Sequence, residues 1–454
     1  MTDTIAALAT ARGTAALAIV RVSGPEAVPV VASRFSNGRL GEAAGRTVHV
    51  GWLTDGEGAR VDQVVCVVWR GPHSATGEDV VEVTCHGGDA VAQSVLRTLH
   101  DAGARPAQPG EFTQRAFLSG KLDLAQAEAV ADLIHAESRL GQRTALAQLQ
   151  GRVSDAVAGV RAALVQTAAL VELELDFGEE DVEFADRPAL RRLLAEADAL
   201  LTELVSSARL GALVRDGVRV VIGGRPNAGK STLLNALVGD DRAIVSPTPG
   251  TTRDVVEADA EIGGLRFRFV DTAGLRETAD AIEAEGTRRA RAAIDRADAL
   301  LYVADASRGL DPEEVAFLSD LRTSRPDLPV LRVANKADLG APEADAFDHV
   351  VSAQAALADP ARLGALTTAL LDTVRADLAG AEAGAVAVNE RHRRHLDAAR
   401  EAVRRAASVL EGGSGGDTLA IDLRAALHEL GQVTGEVTTE HVLDAVFSQF
   451  CIGK

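Results

Sequence analysis

The sequence predicts an α/β domain with a mostly parallel sheet, inserted into an all-α helical domain and preceded by a small α+β domain. Three observations predict this. Between about residues 215 and 378, strand-like runs alternate with helical stretches, the pattern of a parallel sheet covered on both faces. On either side of that block, leucine and valine recur at steps of three and four, the period of helices with one apolar stripe. Before residue 119, short β-rich runs are punctuated by turn signals such as Ser23-Gly24-Pro25 and Arg70-Gly71-Pro72.

Taken in order, the first domain covers residues 1–119, with strands expected at Ala16–Val22, Val61–Trp69 and Val80–Thr84. The helical domain occupies residues 120–214 and 379–454. Its first part carries one stripe of Leu146, Leu149, Val153, Val157, Val160 and Leu164, and a second of Leu190, Leu194, Ala197, Leu201 and Leu204. Its second part places Leu396, Val403 and Leu410 seven apart, and the Gly412–Gly416 run reads as a flexible loop. The inserted domain, residues 215–378, has strands expected at Val218–Ile222, Leu265–Val270, Leu300–Ala304 and Val330–Ala334. A shape change in such an insert pushes on helices at both of its ends.

Composition bounds the function. The 454 residues are 46% hydrophobic and 25% charged, which excludes a disordered or collagen-like chain and leaves room for several cores. Three cysteines, Cys66, Cys85 and Cys451, exclude a disulfide framework and fit a reducing, cytoplasmic setting. No run of 18 apolar residues occurs, so no membrane span is expected. Ala15–Val20 is too short for a signal peptide and stops at Arg21. The net charge of −19 argues against a bare electrostatic grip on nucleic acid. Arg391, Arg393 and Arg394 with His392 and His395 could touch RNA or a partner, although a solvated helix face explains them more simply. Only four of the 47 basic residues are lysines: Lys121, Lys230, Lys336 and Lys454. A GC-rich genome explains the arginines but not where lysine persists, because a compact ammonium and a planar guanidinium are not interchangeable at a tight site.

The inserted domain carries a nucleotide signature. Gly224-Arg225-Pro226-Asn227-Ala228-Gly229-Lys230-Ser231 follows a strand and precedes a helix. In a G-x-x-x-x-G-K-S loop, backbone N–H groups of residues such as Ala228, Gly229 and Thr232 wrap phosphates, Lys230 neutralises the β/γ oxygens, and Ser231 can hold Mg2+. Asn335-Lys336-Ala337-Asp338 follows another strand. Its Asp338 carboxylate can accept the ring N–H and exocyclic amine of guanine, a donor pair adenine lacks, so the expected nucleotide is GTP. Ser352-Ala353-Gln354 fits a third base contact. Asp271-Thr272-Ala273-Gly274 closes a strand, where Asp271 can reach Mg2+ through water and the Gly274 N–H can sense the γ-phosphate. Thr252, in Gly250-Thr251-Thr252-Arg253-Asp254, is the choice for the second Mg2+ hydroxyl. Leu275 stands where Ras-type GTPases carry a water-orienting glutamine, so another group must do that work, and no arginine declares itself a finger.

Four features together resemble the MnmE (TrmE) family of tRNA-modification GTPases over the whole chain. They are Asn227 in the P-loop and the run from Asp271 through Leu275-Arg276-Glu277 to Ile282-Glu283 and Gly286. The others are the block Pro109–Leu118 with Lys121-Leu122-Asp123 and Gln126-Ala127-Glu128-Ala129, and the ending Cys451-Ile452-Gly453-Lys454. The resemblance implies a K+-dependent GTPase acting as a homodimer, in which K+ replaces an arginine finger. Asn227 would offer its side-chain oxygen to K+, with Ser246, Thr248 and Thr251 nearby. Glu283 matches the family's water-orienting glutamate; Asp280 and Glu285 are rival acids, and read without the family Glu283 is an ordinary helix-start acid.

The resemblance also implies that the first domain binds a tetrahydrofolate derivative through Arg21, Glu82, Lys121 and Lys454. The chemistry is sensible, since a carboxylate can accept guanidine-like pterin donors and cations can hold folate carboxylates. The family's usual Pro-Pro-Gly-Arg-Gly-Gly-like start reads Thr10-Ala11-Arg12-Gly13-Thr14-Ala15 here. Cys451, fourth from the end, fits a prenylation signal poorly; a packing cysteine or a reactive thiol remain, and the family's placement of the tail near folate favours a functional role beside Lys230 and Glu283. The implied reaction, with the FAD-binding partner MnmG, installs an aminomethyl-type group on carbon 5 of a tRNA wobble uridine, the carbon coming from methylenetetrahydrofolate and no membrane being involved. An Era- or Der-like GTPase of ribosome assembly is the alternative, weakened by a single P-loop and the lack of a basic G-x-x-G module. A folate enzyme with a relic nucleotide domain is argued against by the intact set Lys230, Thr252, Asp271 and Asp338.

Overall fold

The computed structural model describes residues 3–176, 187–239, 256–271, 291–341, 346–375, 386–412 and 416–454. The chain divides into two compact units, Met1–Ile134 with Ala147–Leu201 and His395–Lys454, and His135–Leu146 with Thr202–Arg394.

In the first unit, six strands form one sheet in the order β3-β4-β5-β2-β1-β6. They are β1 (Ile5–Leu8), β2 (Leu17–Ser23), β3 (Thr47–Thr54), β4 (Arg60–Trp69), β5 (Val80–His86) and β6 (Arg105–Pro106). All neighbours are antiparallel except β1 and β6. Alternation sorts the two faces. Val64, Cys66 and Val68 of β4 and Val81, Val83 and Cys85 of β5 are buried in one apolar core with residues of the helices Ala27–Ala32 and Asp89–Asp101. The opposite face therefore carries Trp69, Glu82 and Arg21, with Arg21 directly across from Glu82 in the β2–β5 register. Burial pushes the two core thiols up, Cys66 to about 12 and Cys85 to about 11, so neither is a nucleophile near neutral pH. All three cysteines are free thiols, and Cys451 is exposed.

Helices make up the rest of this unit, some of them shared with the second. The stripe Leu190, Leu194, Ala197, Leu201 and Leu204 lies in the helix Arg187–Ser206, and Leu396, Val403 and Leu410 in the helix Glu390–Gly412; all are buried. The other expected stripe is broken. Gly151, with φ +94°, separates the helix Arg139–Leu149 from Arg152–Asp176, and Leu146 is exposed. Within the second of these, Arg152–Glu172 is long and apolar enough by length and composition to cross a membrane, where no such span was expected. Its Val153, Val157, Val160 and Leu164 are buried and its Arg161 pairs with Glu436, so it reads as a core helix.

The second unit holds a sheet ordered β12-β11-β10-β7-β9-β8. Its strands are β7 (Val218–Gly223), β8 (Val256–Ile262), β9 (Leu265–Asp271), β10 (Ala299–Asp305), β11 (Val330–Asn335) and β12 (His349–Val350). Only β8 runs antiparallel, joined to β9 by Gly263-Gly264 at φ +60° and +87°. Buried apolar residues line both faces, which is why β7 and β10 read as continuous hydrophobic runs. Central β7 lies between β9 and β10, so the crevice at its carboxyl end is the place where open α/β sheets bind ligands.

Candidate functional site

That crevice is filled by the loop after β7. Gly224 has φ +134°, and a Cβ there would lie 2.0 Å from the Val303 carbonyl oxygen. Gly229 has φ +87°, and its Cβ would lie 2.3 Å from Asn335 Nδ2. Side chains at either position are sterically impossible without moving the frame. Asn227 also takes a left-handed φ of +63°, a conformation asparagine tolerates better than most residues. Lys230 opens the helix Lys230–Val238 and is buried; its Nζ donates to the carbonyls of Gly224 and Arg225 at 2.9 Å each. The ammonium is thus held in the curl of the loop, where anionic oxygens would meet it together with the helix N-terminus.

Ser231 Oγ donates to Asp271 Oδ2 at 3.0 Å. A hydroxyl and a carboxylate brought together at the strand end are a hard-oxygen donor set that fits Mg2+. Half-buried Thr232 follows in the first helical turn. The base-side motifs are equally ordered, with one change from expectation. Asn335 Nδ2 donates to the carbonyls of Ala228 and Gly229 at 3.0 and 3.4 Å, and its Oδ1 accepts the Ala353 N–H at 2.9 Å. Asn335 and the Ala353 amide therefore tie the phosphate loop to the base loop. Lys336 Nζ donates to Asp305 Oδ2 at 2.8 Å, and Asp338 Oδ1 accepts from Ser352 Oγ at 2.5 Å, while Gln354 is exposed on the next helix.

Sequence reasoning missed Asp305. The bond from Lys336, then that from Ser307, holds its carboxyl at about 2, so it stays ionised as the lysine's anchor. Also missed was the salt-bridging of Arg225, whose guanidinium pairs with Asp311 and with Glu313, the latter at 2.9 Å. A cavity of about 630 Å3 opens beside the loop, lined by Asn227, Asp305, Arg308 and Lys336 among others. Ser246, Thr248, Thr251, Thr252, Gly274 and Glu283 lie outside the described residues.

A second candidate site occupies the outer face of the first unit's sheet. Arg21 donates through Nε and Nη2 to one oxygen of Glu82, at 3.1 and 2.8 Å, and its guanidinium stands 5.7 Å from the Phe112 ring centroid. Glu82 and Lys121 line one cavity of about 420 Å3, and Lys121 Nζ donates to the Pro72 carbonyl at 2.9 Å. The C-terminal tail reaches the same domain: Phe112 N–H donates to the Lys454 carbonyl at 3.1 Å, and a Cβ on Gly453 would lie 2.1 Å from the Leu8 carbonyl oxygen. Arg21, Glu82 and Lys121 are thus brought to one region, and Lys454 is tied through its backbone to the helix that carries Phe112. The acceptor and the cations suit a heterocycle bearing carboxylates.

The block Pro109–Leu118 proves structural in this setting. Arg115 is fully buried and donates to Asp3 O, Asp3 Oδ1, Glu78 Oε2 and Glu111 Oε1, at 2.9–3.0 Å. It fixes the loop before β5, which Ser119 Oγ also holds by donating to the Thr76 carbonyl at 2.7 Å. In the basic cluster near residue 391, Arg393 pairs with Glu390, His395 pairs with Glu429, and His392 is buried.

Comparison with known proteins adds the following. The family model described as the MnmE helical domain matches residues 124–451, and that described as the GTP-binding protein TrmE N-terminus matches residues 4–121. The tRNA modification GTPase MnmE of Salinibacter ruber is 55% identical over 457 residues, spanning 100% of this chain and 99% of that protein. The protein of the same name from Symbiobacterium thermophilum is 43% identical over 459 residues, with 100% and 99% covered. Among solved structures, Era of Aquifex aeolicus is 30% identical over 34% of this chain and 56% of its own, at a TM-score of 0.26, too loose a likeness to bear on function.

Proposed function

The chain belongs to the MnmE family, and from that premise we propose that it hydrolyses GTP in the course of tRNA modification. The observation that carries the reading is the closed frame in which Asn335 joins the Lys230 loop to the Asp338–Ser352 pair. Phosphate and base subsites are held at a fixed separation before any ligand arrives, which is the preorganisation a nucleotide enzyme needs. Lys230 meets the β/γ oxygens, and Asp338 keeps an oxygen for the guanine edge. Ser231 and Asp271, with Thr252, would hold Mg2+, which supplies charge neutralisation on the phosphates.

The finer assignment follows the family. Asn227, exposed on the loop, would lend an oxygen to K+, with Ser246, Thr248 and Thr251. Glu283 orients the attacking water. Two such domains meet across a homodimer, and the helical segments flanking residues 215–378 relay the movement. A tetrahydrofolate derivative binds by Arg21, Glu82, Lys121 and Lys454, with Cys451 close by, and the FAD-binding MnmG shares the modification of wobble uridine in the cytoplasm.

Two measurements test this. GTP turnover in KCl should exceed that in NaCl by about tenfold or more, and Asn227→Ala should erase the difference; equal rates in both salts would defeat the cation's role. Mass spectrometry of tRNA from cells lacking the protein should show wobble uridines without the aminomethyl-type group; unchanged uridines would remove the substrate from the reading.

A further inference from the structure

The cavity on the outer sheet face holds more positive charge than the assigned residues account for. Its one carboxylate, Glu82, already carries two bonds from Arg21. Lys121 meets only the Pro72 carbonyl, and Arg46 and His73 line the same cavity with no ion-pair partner among the described residues. In a chain of net charge −19, a pocket with a neutralised acid, two unmatched cations and a histidine is an anion site, and a single carboxylate would not balance it.

Arg46 has a second peculiarity. Its φ is +65°, a left-handed conformation that favours glycine or asparagine, and the turn is pinned because its N–H donates to the Val68 carbonyl at 2.7 Å. Local preference alone would not put an arginine there. The turn brings Arg46 into the lining of the cavity, together with Trp69, Glu82 and Lys121. A guanidinium fork recognises a carboxylate by two parallel hydrogen bonds, which an ammonium cannot do.

We propose that Arg46, seconded by His73, forms a carboxylate subsite that extends the pocket and selects polyglutamylated over monoglutamylated folate. The idea rests on the folate reading above and specifies the form of ligand that site takes. Lys121 then serves the first glutamate, and Arg46 with His73 the γ-linked glutamates that follow it.

The test is calorimetric titration of the full-length chain with 5-formyltetrahydrofolate bearing one or three glutamates. The triglutamate should bind about tenfold more tightly. Arg46→Gly, which suits the positive φ and so removes the fork without straining the turn, should bring the two affinities within about twofold of each other. Arg46→Lys should restore part of the gap through charge alone. Equal affinities in the unaltered chain, or a gap that survives Arg46→Gly, would overturn the subsite while leaving the folate reading standing. If neither ligand binds, the folate reading itself falls and the subsite with it.

Discussion

The two candidate sites are built by opposite means. The nucleotide loop is a backbone construction: a Cβ on Gly224 or Gly229 would fall 2.0 Å from a carbonyl oxygen or 2.3 Å from a side-chain amide. Its residues 224–231 are contiguous, because successive N–H groups must face one ligand. The outer-face pocket is a side-chain construction. Arg46, Trp69, His73, Glu82 and Lys121 come from a turn, two strands and two loops. A backbone site forces particular residues at particular spacings, whereas long charged side chains can meet from almost any starting point. The first leaves a motif, and the second does not.

The largest expected effect tests whether these regions are independent. Arg115→Met removes the buried cation that joins Glu78 to Glu111 and Asp3, the last two keeping Arg105. Burial pushes the Glu111 carboxyl up, yet the bonds from Arg105, the Gln108 N–H and Arg115 outweigh it and hold the group below its usual range. Breaking such a buried network costs about 3–5 kcal/mol. Trp52 and Trp69, the chain's two tryptophans, both lie in the first unit's sheet, so their fluorescence should report an earlier unfolding transition. GTP affinity should stay within about twofold, since the nucleotide frame belongs to the other compact unit. A parallel loss of GTP affinity would show that the two constructions depend on each other.

How far the sequence alone reached follows the same division. The strands β7, β9, β10 and β11 were expected within a residue or two, because a doubly covered sheet requires apolar runs. Strand β8 was not expected: Val256–Ile262 alternates alanine with acids, poor strand formers, and only the Gly263-Gly264 hairpin could have announced it. That Lys230 would sit in the loop and Ser231 would meet the strand end at Asp271 was legible from spacing. The role of Asn335 as a strut was not, because its partners are the carbonyls of Ala228 and Gly229, far off in sequence. Arg46 and Asp305 carried no local signal at all, since each matters only through what tertiary structure sets beside it.

A smaller effect sharpens the contrast inside the nucleotide site, where the proposed choice of base falls to one side chain. Asp338→Asn keeps a partner for the Ser352 hydroxyl and so keeps the loop. It replaces an acceptor oxygen with a donor amide, leaving guanine's amine facing another donor. GTP affinity should fall about 100-fold, and xanthosine triphosphate, with a carbonyl where guanine has that amine, should bind the variant better than GTP does. Competition binding of the two nucleotides decides it. Retained preference for GTP would mean that Ser352 or Gln354 reads the base.

The smallest effect concerns a charge pair on the base side of the nucleotide site. Asp305 sits 2.8 Å from Lys336 Nζ, and its carboxyl at about 2 lies below the ordinary 3.8. A depressed folded-state value means the pair stabilises the fold above the ordinary carboxylate range and loses that contribution as pH falls through about 2. Asp305→Asn removes the charge, so the stability gap between the two chains should be constant near neutrality and should narrow between about pH 4 and 2. Tyr302, the only tyrosine, lies in β10 three residues before Asp305, and its absorbance follows this unit apart from the tryptophans. A gap that stayed flat to about pH 2 would mean that Asp305 holds Lys336 by geometry and not by charge, making even this contact part of the frame.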